Sequence, residues 1–251
     1  MNDETIEQVI EIATPDGTAD GVLYRPATGD RWPGVMHLVD AGGIRPAQTD
    51  MAKRLAGEGY VVLMPNVFYR TSKTPLFSEF PMKIGDERTT RRFMELLAPL
   101  TAGAMQRDGA AYTDFLASHD SVNNGPVGVV GYCATGSMAL RTAAIRPDKV
   151  GAAASFHGGR LFTDAPDSPH TALPQIKARL YFGHAVDDKS MPKEAIENLG
   201  HALKAWGGTY ENEVYEGAYH SWTALDSPVY NRAQADCAFE KLLELFDATL
   251  K

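Results

Sequence analysis

Val127-Gly128-Val129-Val130-Gly131-Tyr132-Cys133-Ala134-Thr135-Gly136 is the stretch that decides how the rest of the chain is read. The apolar run 127–130 predicts a buried strand, and the stretch 137–145 that follows is compatible with a helix. Between them stand small residues around a cysteine, Gly-x-Cys-x-Gly, the layout of a nucleophile elbow with Cys where Ser is more common. Glycines on either side let the backbone take a tight turn and leave room for neighbouring chain. Such a turn lifts the sulfur above the sheet at the positive end of the following helix, a position that favours thiolate over thiol. A cysteine at a strand end is otherwise most often an inert buried side chain, so the elbow needs partners elsewhere. Other glycine-rich readings fail. No Gly-Lys-Ser/Thr follows, and Gly128, Gly131 and Gly136 do not fit a dinucleotide fingerprint.

Working outward, strands and helices alternate. Segments 6–13 and 18–25 flank Pro15-Asp16-Gly17 and predict an N-terminal antiparallel hairpin. Strand 35–39 runs into the flexible turn Asp40-Ala41-Gly42-Gly43, and Pro46 opens a helix that closes near Gly57. Strand 60–64 follows. The stretch 66–85 has aromatic and turn character without periodicity, the mark of a binding loop. Helices are predicted over 86–97, carrying Arg88, Arg91 and Arg92, and over 104–117. After the elbow come strand 150–156, a proline-rich surface loop over 164–174, strand 179–183, a helix from Pro192 to Gly207, strand 213–215 and a terminal helix. This alternation predicts an α/β fold, a mostly parallel central sheet with helices on both faces, in a single domain spanning 1–251.

Composition narrows the function. The chain has 251 residues, 44% hydrophobic and 22% charged, within the range of a globular protein with a sizeable core. A net charge of −8 argues against nucleic acid or an anionic membrane as partner. The acidic start Met1-Asn2-Asp3-Glu4 does not resemble a signal peptide, so the expected location is cytoplasmic. With two cysteines no disulfide scaffold is expected, and Cys237 reads as structural. No His-Glu-x-x-His or Cys-x-x-Cys is present, so no metal site and no cofactor are expected.

Catalytic groups in an open α/β sheet stand at the carboxyl ends of strands. Cys133, the pair Asp187/Asp188 and His220 all qualify, in the order nucleophile, acid, histidine. Either aspartate suits the acid role. Of the other histidines, His37 reads as a core residue, while His157 and His184 end strands and border the site at most.

With these residues in place, the sequence resembles the dienelactone hydrolase (carboxymethylenebutenolidase-like) family of α/β-hydrolases, from the 35–39 strand to Trp222. The most specific part is Gly128-Val129-Val130-Gly131-Tyr132-Cys133. The resemblance implies an α/β-hydrolase fold with Cys133 as nucleophile, His220 as base and Asp188 as acid. It implies an oxyanion hole from the N–H groups of Ala41 and Ala134. Asp40 matches the family's glutamate, one methylene shorter, which implies a carboxylate that gates the thiol. Arg91 matches an arginine that grips a substrate carboxylate. Two positions depart from the family: no second arginine stands in Thr223-Ala224-Leu225, and Thr135 replaces the glycine usual before Gly136. The implied activity is cofactor-free hydrolysis of a small ester or lactone. A general carboxylesterase or thioesterase, or a binding protein on the same fold, are the alternatives.

Overall fold

Val127–Tyr132 forms a strand buried at every position, as its unbroken apolar run requires of a strand covered on both faces. It is the fifth of eight strands in a computed structural model that describes residues 4–80, 82–83 and 85–251. Pro81 and Ile84 of the 66–85 stretch, and Met1, Asn2 and Asp3 at the chain start, lie outside the described residues. The strands are β1 (Thr5–Thr14), β2 (Gly17–Pro26), β3 (Gly34–Leu38), β4 (Val61–Pro65), β5 (Val127–Tyr132), β6 (Val150–Phe156), β7 (Arg179–Ala185) and β8 (Tyr210–Tyr215). Their order across the sheet is β1-β2-β4-β3-β5-β6-β7-β8. The hairpin β1/β2 is antiparallel and joins the sheet antiparallel to β4; from β4 to β8 every pairing is parallel.

Helices cover both faces. They are α1 (Pro46–Gly57), α2 (Glu87–Leu97), α3 (Ala102–Ala117), α4 (Gly136–Ile145), α5 (Lys193–Trp206) and α6 (Arg232–Leu250). The helix α6 lies close over the elbow strand: a Cβ on Gly128 would stand 2.7 Å from Phe246, so only glycine admits this packing. Three helix ends have a plain local cause. Pro46 sits in the first turn of α1, Asp86 caps α2 by accepting the Arg88 and Thr89 N–H groups, and α5 stops at Gly207 with φ +73.

The sequence expectations for element type hold along the sheet, with two changes. The eighth strand starts three residues earlier than predicted, because polar Glu211 and Asn212 stand in its first half and no position before Tyr215 is buried, so no apolar pattern marks its start. The predicted surface loop 164–174 contains a short 3-10 helix, Pro169–Gln175, whose Pro169 and Leu173 are buried. Cys237, read as structural, is exposed on α6. Among the described residues no helix is long and apolar enough to cross a membrane.

Candidate active site

Cys133 follows β5 directly and has φ +56, a left-handed conformation that costs a non-glycine residue about 1–3 kcal/mol unless its surroundings enforce it. Four contacts enforce it. A Cβ on Gly131 would lie 2.2 Å from the Thr135 carbonyl oxygen, and one on Gly136 would lie 2.3 Å from Ser155 Oγ and 2.8 Å from Gly158 Cα. The Thr135 hydroxyl accepts the Tyr132 N–H at 3.0 Å and stands 2.9 Å from the carbonyl oxygens of both Tyr132 and Leu38. It therefore ties the elbow to β3, a contact that a glycine at this position lacks. Fourth, the Cys133 N–H donates to His157 Nδ1 at 3.1 Å.

That last contact fixes a tautomer. His157 is buried, and burial foremost, then the neighbouring His220, hold its pKa well below the ordinary 6.5. With Nδ1 accepting, the neutral ring carries its proton on Nε2, which donates to Thr223 Oγ1 at 2.9 Å. Its ring also packs edge-on against His220 and Trp222, at 5.2 and 5.1 Å between centroids.

His220 lies between the thiol and an aspartate. Its Nε2 is 3.1 Å from Cys133 Sγ and its Nδ1 is 2.6 Å from Asp188 Oδ2. The other oxygen of Asp188 accepts from the Ser190 N–H at 2.8 Å and the Ser190 hydroxyl at 2.7 Å. Burial works against the Asp188 charge, but the His220 and Ser190 hydrogen bonds outweigh it and hold the carboxyl at about 2. Burial likewise depresses His220, and its hydrogen bonds to Asp188 and Cys133 reverse this, raising it to about 10. Asp187, the other candidate acid, is exposed, with φ +51 at the tip of its turn. Of the two aspartates, the structure brings Asp188 to His220. A cavity of about 560 Å³ opens over Cys133, Ala134 and His220, with Met105, Ser137 and Arg141 in its wall.

A model of the dienelactone hydrolase family matches residues 19–250. The chain belongs to that family. A Salmonella typhi protein provisionally named carboxymethylenebutenolidase is 27% identical over 256 aligned positions, covering 94% of this chain and 90% of that one. The Rhodococcus opacus carboxymethylenebutenolidase is 27% identical and covers 92% of this chain and 88% of its own. In fold, a provisionally named dienelactone hydrolase of Klebsiella pneumoniae superposes with a TM-score of 0.84 at 21% identity, over 97% of this chain and 99% of its own. The protein is thus a hydrolase of the dienelactone hydrolase family with an α/β-hydrolase fold.

The remaining positions that the family resemblance suggested are placed differently from one another. Ala134 borders the cavity; Ala41 is half-buried in the turn closed by Gly43 N–H to the Asp40 carbonyl, and does not line the cavity. Among the described residues neither the Ala41 nor the Ala134 N–H donates in a turn or loop hydrogen bond.

Asp40 does not touch Cys133. Its carboxylate takes a two-pronged bond from Arg45, at 2.5 and 2.9 Å, with Gly42 N–H at 2.8 Å and Gln48 Nε2 at 3.0 Å. The gating contact expected of it is therefore not made, because four donors already occupy both oxygens. Arg91, expected to grip a substrate carboxylate, does not line the cavity of Cys133. It is 66% exposed on α2, pairs with Glu87 at 2.8 Å, and lines a separate cavity with Phe77 and Arg88. The buried positions of α2 are Thr89 and Leu96, which turns the Glu87–Arg91 face outward.

His37 bonds Gln48 and His184 bonds Asn212, both as buried structural residues. Sequence reasoning missed Arg141. Its signal was present: Ala134, Ser137 and Arg141 follow the spacing of one helix face. Among the described residues no group of three or more His, Cys, Asp or Glu is placed to hold a metal ion.

Proposed function

We propose that this protein hydrolyses small esters and lactones through a Cys133–His220–Asp188 triad and a thioester acyl-enzyme. The observation that carries this reading is His220, within hydrogen-bond distance of Cys133 Sγ on one nitrogen and of Asp188 on the other. Family membership and the lactone-cleaving name of its relatives support the substrate class.

His220 takes the Cys133 thiol proton as Sγ attacks the substrate carbonyl carbon, the C–S bond forms, and charge builds on the carbonyl oxygen. The N–H group of Ala134, which borders the cavity, receives that oxyanion, contributing about 3 kcal/mol of barrier lowering in such sites; the Ala41 N–H, free of a turn or loop acceptor, is the proposed second donor by family resemblance. The imidazolium so formed is favoured by the hydrogen bond to Asp188, which works to raise the His220 pKa. The ring is then already charged to hand a proton to the leaving oxygen as the C–O bond breaks. In a lactone that oxygen stays on the acyl chain. Now neutral, His220 takes a proton from water, the hydroxide attacks the thioester, and the C–S bond breaks to release the acid. Asp188 holds the ring tautomer and its charge throughout. A thiolate leaves as readily as it attacks, so substrates with good leaving groups, enol lactones and activated esters, are favoured over amides.

The test is a panel of enol lactones, p-nitrophenyl esters and acyl thioesters with wild type, Cys133→Ala and His220→Ala. Each variant should lose activity by orders of magnitude, and quenched wild type should carry the acyl mass on Cys133. Either variant retaining more than about a tenth of wild-type activity would remove that residue from the mechanism. A rate on thioesters well above that on lactones would move the assignment to a thioesterase.

A further inference from the structure

Among the described residues two arginines are buried, Arg45 and Arg141, and Arg70 is partly so; they differ in one respect. Arg45 is paired with Asp40 and Asp226, and Arg70 with Asp16 and Asp108. Arg141, only 7% exposed, has no carboxylate within ion-pair distance among the described residues. Its Nη2 donates to the backbone carbonyl of Asp167, whose exposed side chain points no bond at it, and its Nε has no partner among the described residues. Burial lowers the pKa of this guanidinium, with the nearby Asp167 charge only partly offsetting it. A cation held out of water without an anion is costly, and the fork geometry of a guanidinium fits a carboxylate on two donors at once.

Its position gives that cost a use. Arg141 lines the cavity that contains Cys133 and His220. It follows Ser137 one turn on along α4, whose first residue stands three beyond Cys133, and the rise from Ser137 to Arg141 is about 6 Å. Helical side chains lean toward the N-terminus, so the arginine stem runs back toward the elbow and shortens that gap. The cavity wall includes the apolar side chains of Leu97, Leu100, Met105 and Pro169.

We propose that Arg141 is an anion subsite of the active-site cavity, selecting esters and lactones whose acyl part ends in a second acidic group. The assignment of substrate class rests on Cys133 being the nucleophile, as argued above. It places anion recognition on α4, in the cavity of Cys133, and not on α2 at the expected Arg91, which lines a separate cavity.

The experiment compares mono-p-nitrophenyl glutarate with neutral p-nitrophenyl valerate in wild type, Arg141→Met and Arg141→Lys. Wild type should favour the hemiester in kcat/KM by at least tenfold. Arg141→Met should lower that ratio at least tenfold through KM, and Arg141→Lys should retain part of it. No preference in wild type, or an equal loss on both substrates in Arg141→Met, would overturn the subsite. Should Arg141→Met not fold, wild type decides: glutarate must inhibit valerate ester hydrolysis competitively, and butyrate at the same concentration must not. If neither ester is turned over, the hydrolytic reading fails by itself. Protection of Cys133 from iodoacetamide by glutarate then upholds the anion site, and unprotected alkylation overturns it.

Discussion

Arg45→Met removes the centre of a buried ionic cluster and tests whether that cluster holds the turn before Ala41. Arg45 donates to Asp40 at 2.5 and 2.9 Å and to Asp226 at 2.7 and 3.1 Å. The side chains of Arg45, Asp40 and Asp226 are 3%, 8% and 21% exposed. Methionine preserves much of the stem volume but leaves two carboxylates facing each other without a cation. Removing one partner of a buried pair costs about 3–5 kcal/mol, against about 0–1 for an exposed pair. At roughly 2–4 °C per kcal/mol for a domain of this size, melting should fall by about 6–20 °C. Thermal unfolding followed by circular dichroism measures this. Adding Asp40→Asn should recover part of the loss, since one stranded charge is then gone. A fall of under about 2 °C would place the cluster with exposed pairs. A double variant melting below Arg45→Met would show that compensating the Asp40 charge is not what Arg45 does.

Three further outcomes are expected. Asp188→Asn should cut hydrolysis by far more than Asp187→Asn; it should also flatten the pH dependence of stability. His220 is raised from 6.5 to about 10, so its contribution is complete below pH 6.5 and lost on rising to about 10. Asp188 is depressed from 3.8 to about 2, so its contribution is lost only as pH falls through that interval. Urea midpoints in Asp188→Asn that decline between pH 6.5 and 10 as steeply as in wild type would rule out the coupling. His157→Leu should strand the Cys133 N–H, at a cost of about 1–3 kcal/mol, and lower kcat; His157→Gln, which keeps an acceptor, should restore part of both. If Gln is no better than Leu, the ring serves only as packing. Gly136→Ala should yield little folded protein, because its Cβ would stand 2.8 Å from backbone at Gly158 as well as 2.3 Å from Ser155 Oγ. Wild-type melting of this variant would mean that the elbow can shift.

The sequence by itself determined the strands, their alternation with helices and the elbow, because each is written in a pattern a few residues long. Val127–Tyr132 must be buried to satisfy its apolar run, and Gly131 and Gly136 must be small for the chain to turn. It also determined that Cys133, an aspartate of the 187–188 pair and His220 stand at strand ends, since strand ends follow from strand positions. Only the tertiary structure decided which partners the polar groups take. Asp40 turns to Arg45, which in turn binds Asp226 at 181 residues' separation, and no local periodicity encodes that distance. Arg91 faces outward because the buried side of α2 is set by Thr89 and Leu96 packing on the body of the protein. Arg141 faces inward without a carboxylate because α4 is wedged between α3 and β6 beside the cavity, and only the assembled neighbours determine whether a charge meets its counter-ion. Charges act through space over a few ångströms, and the chain's order along the sequence does not specify who those neighbours are.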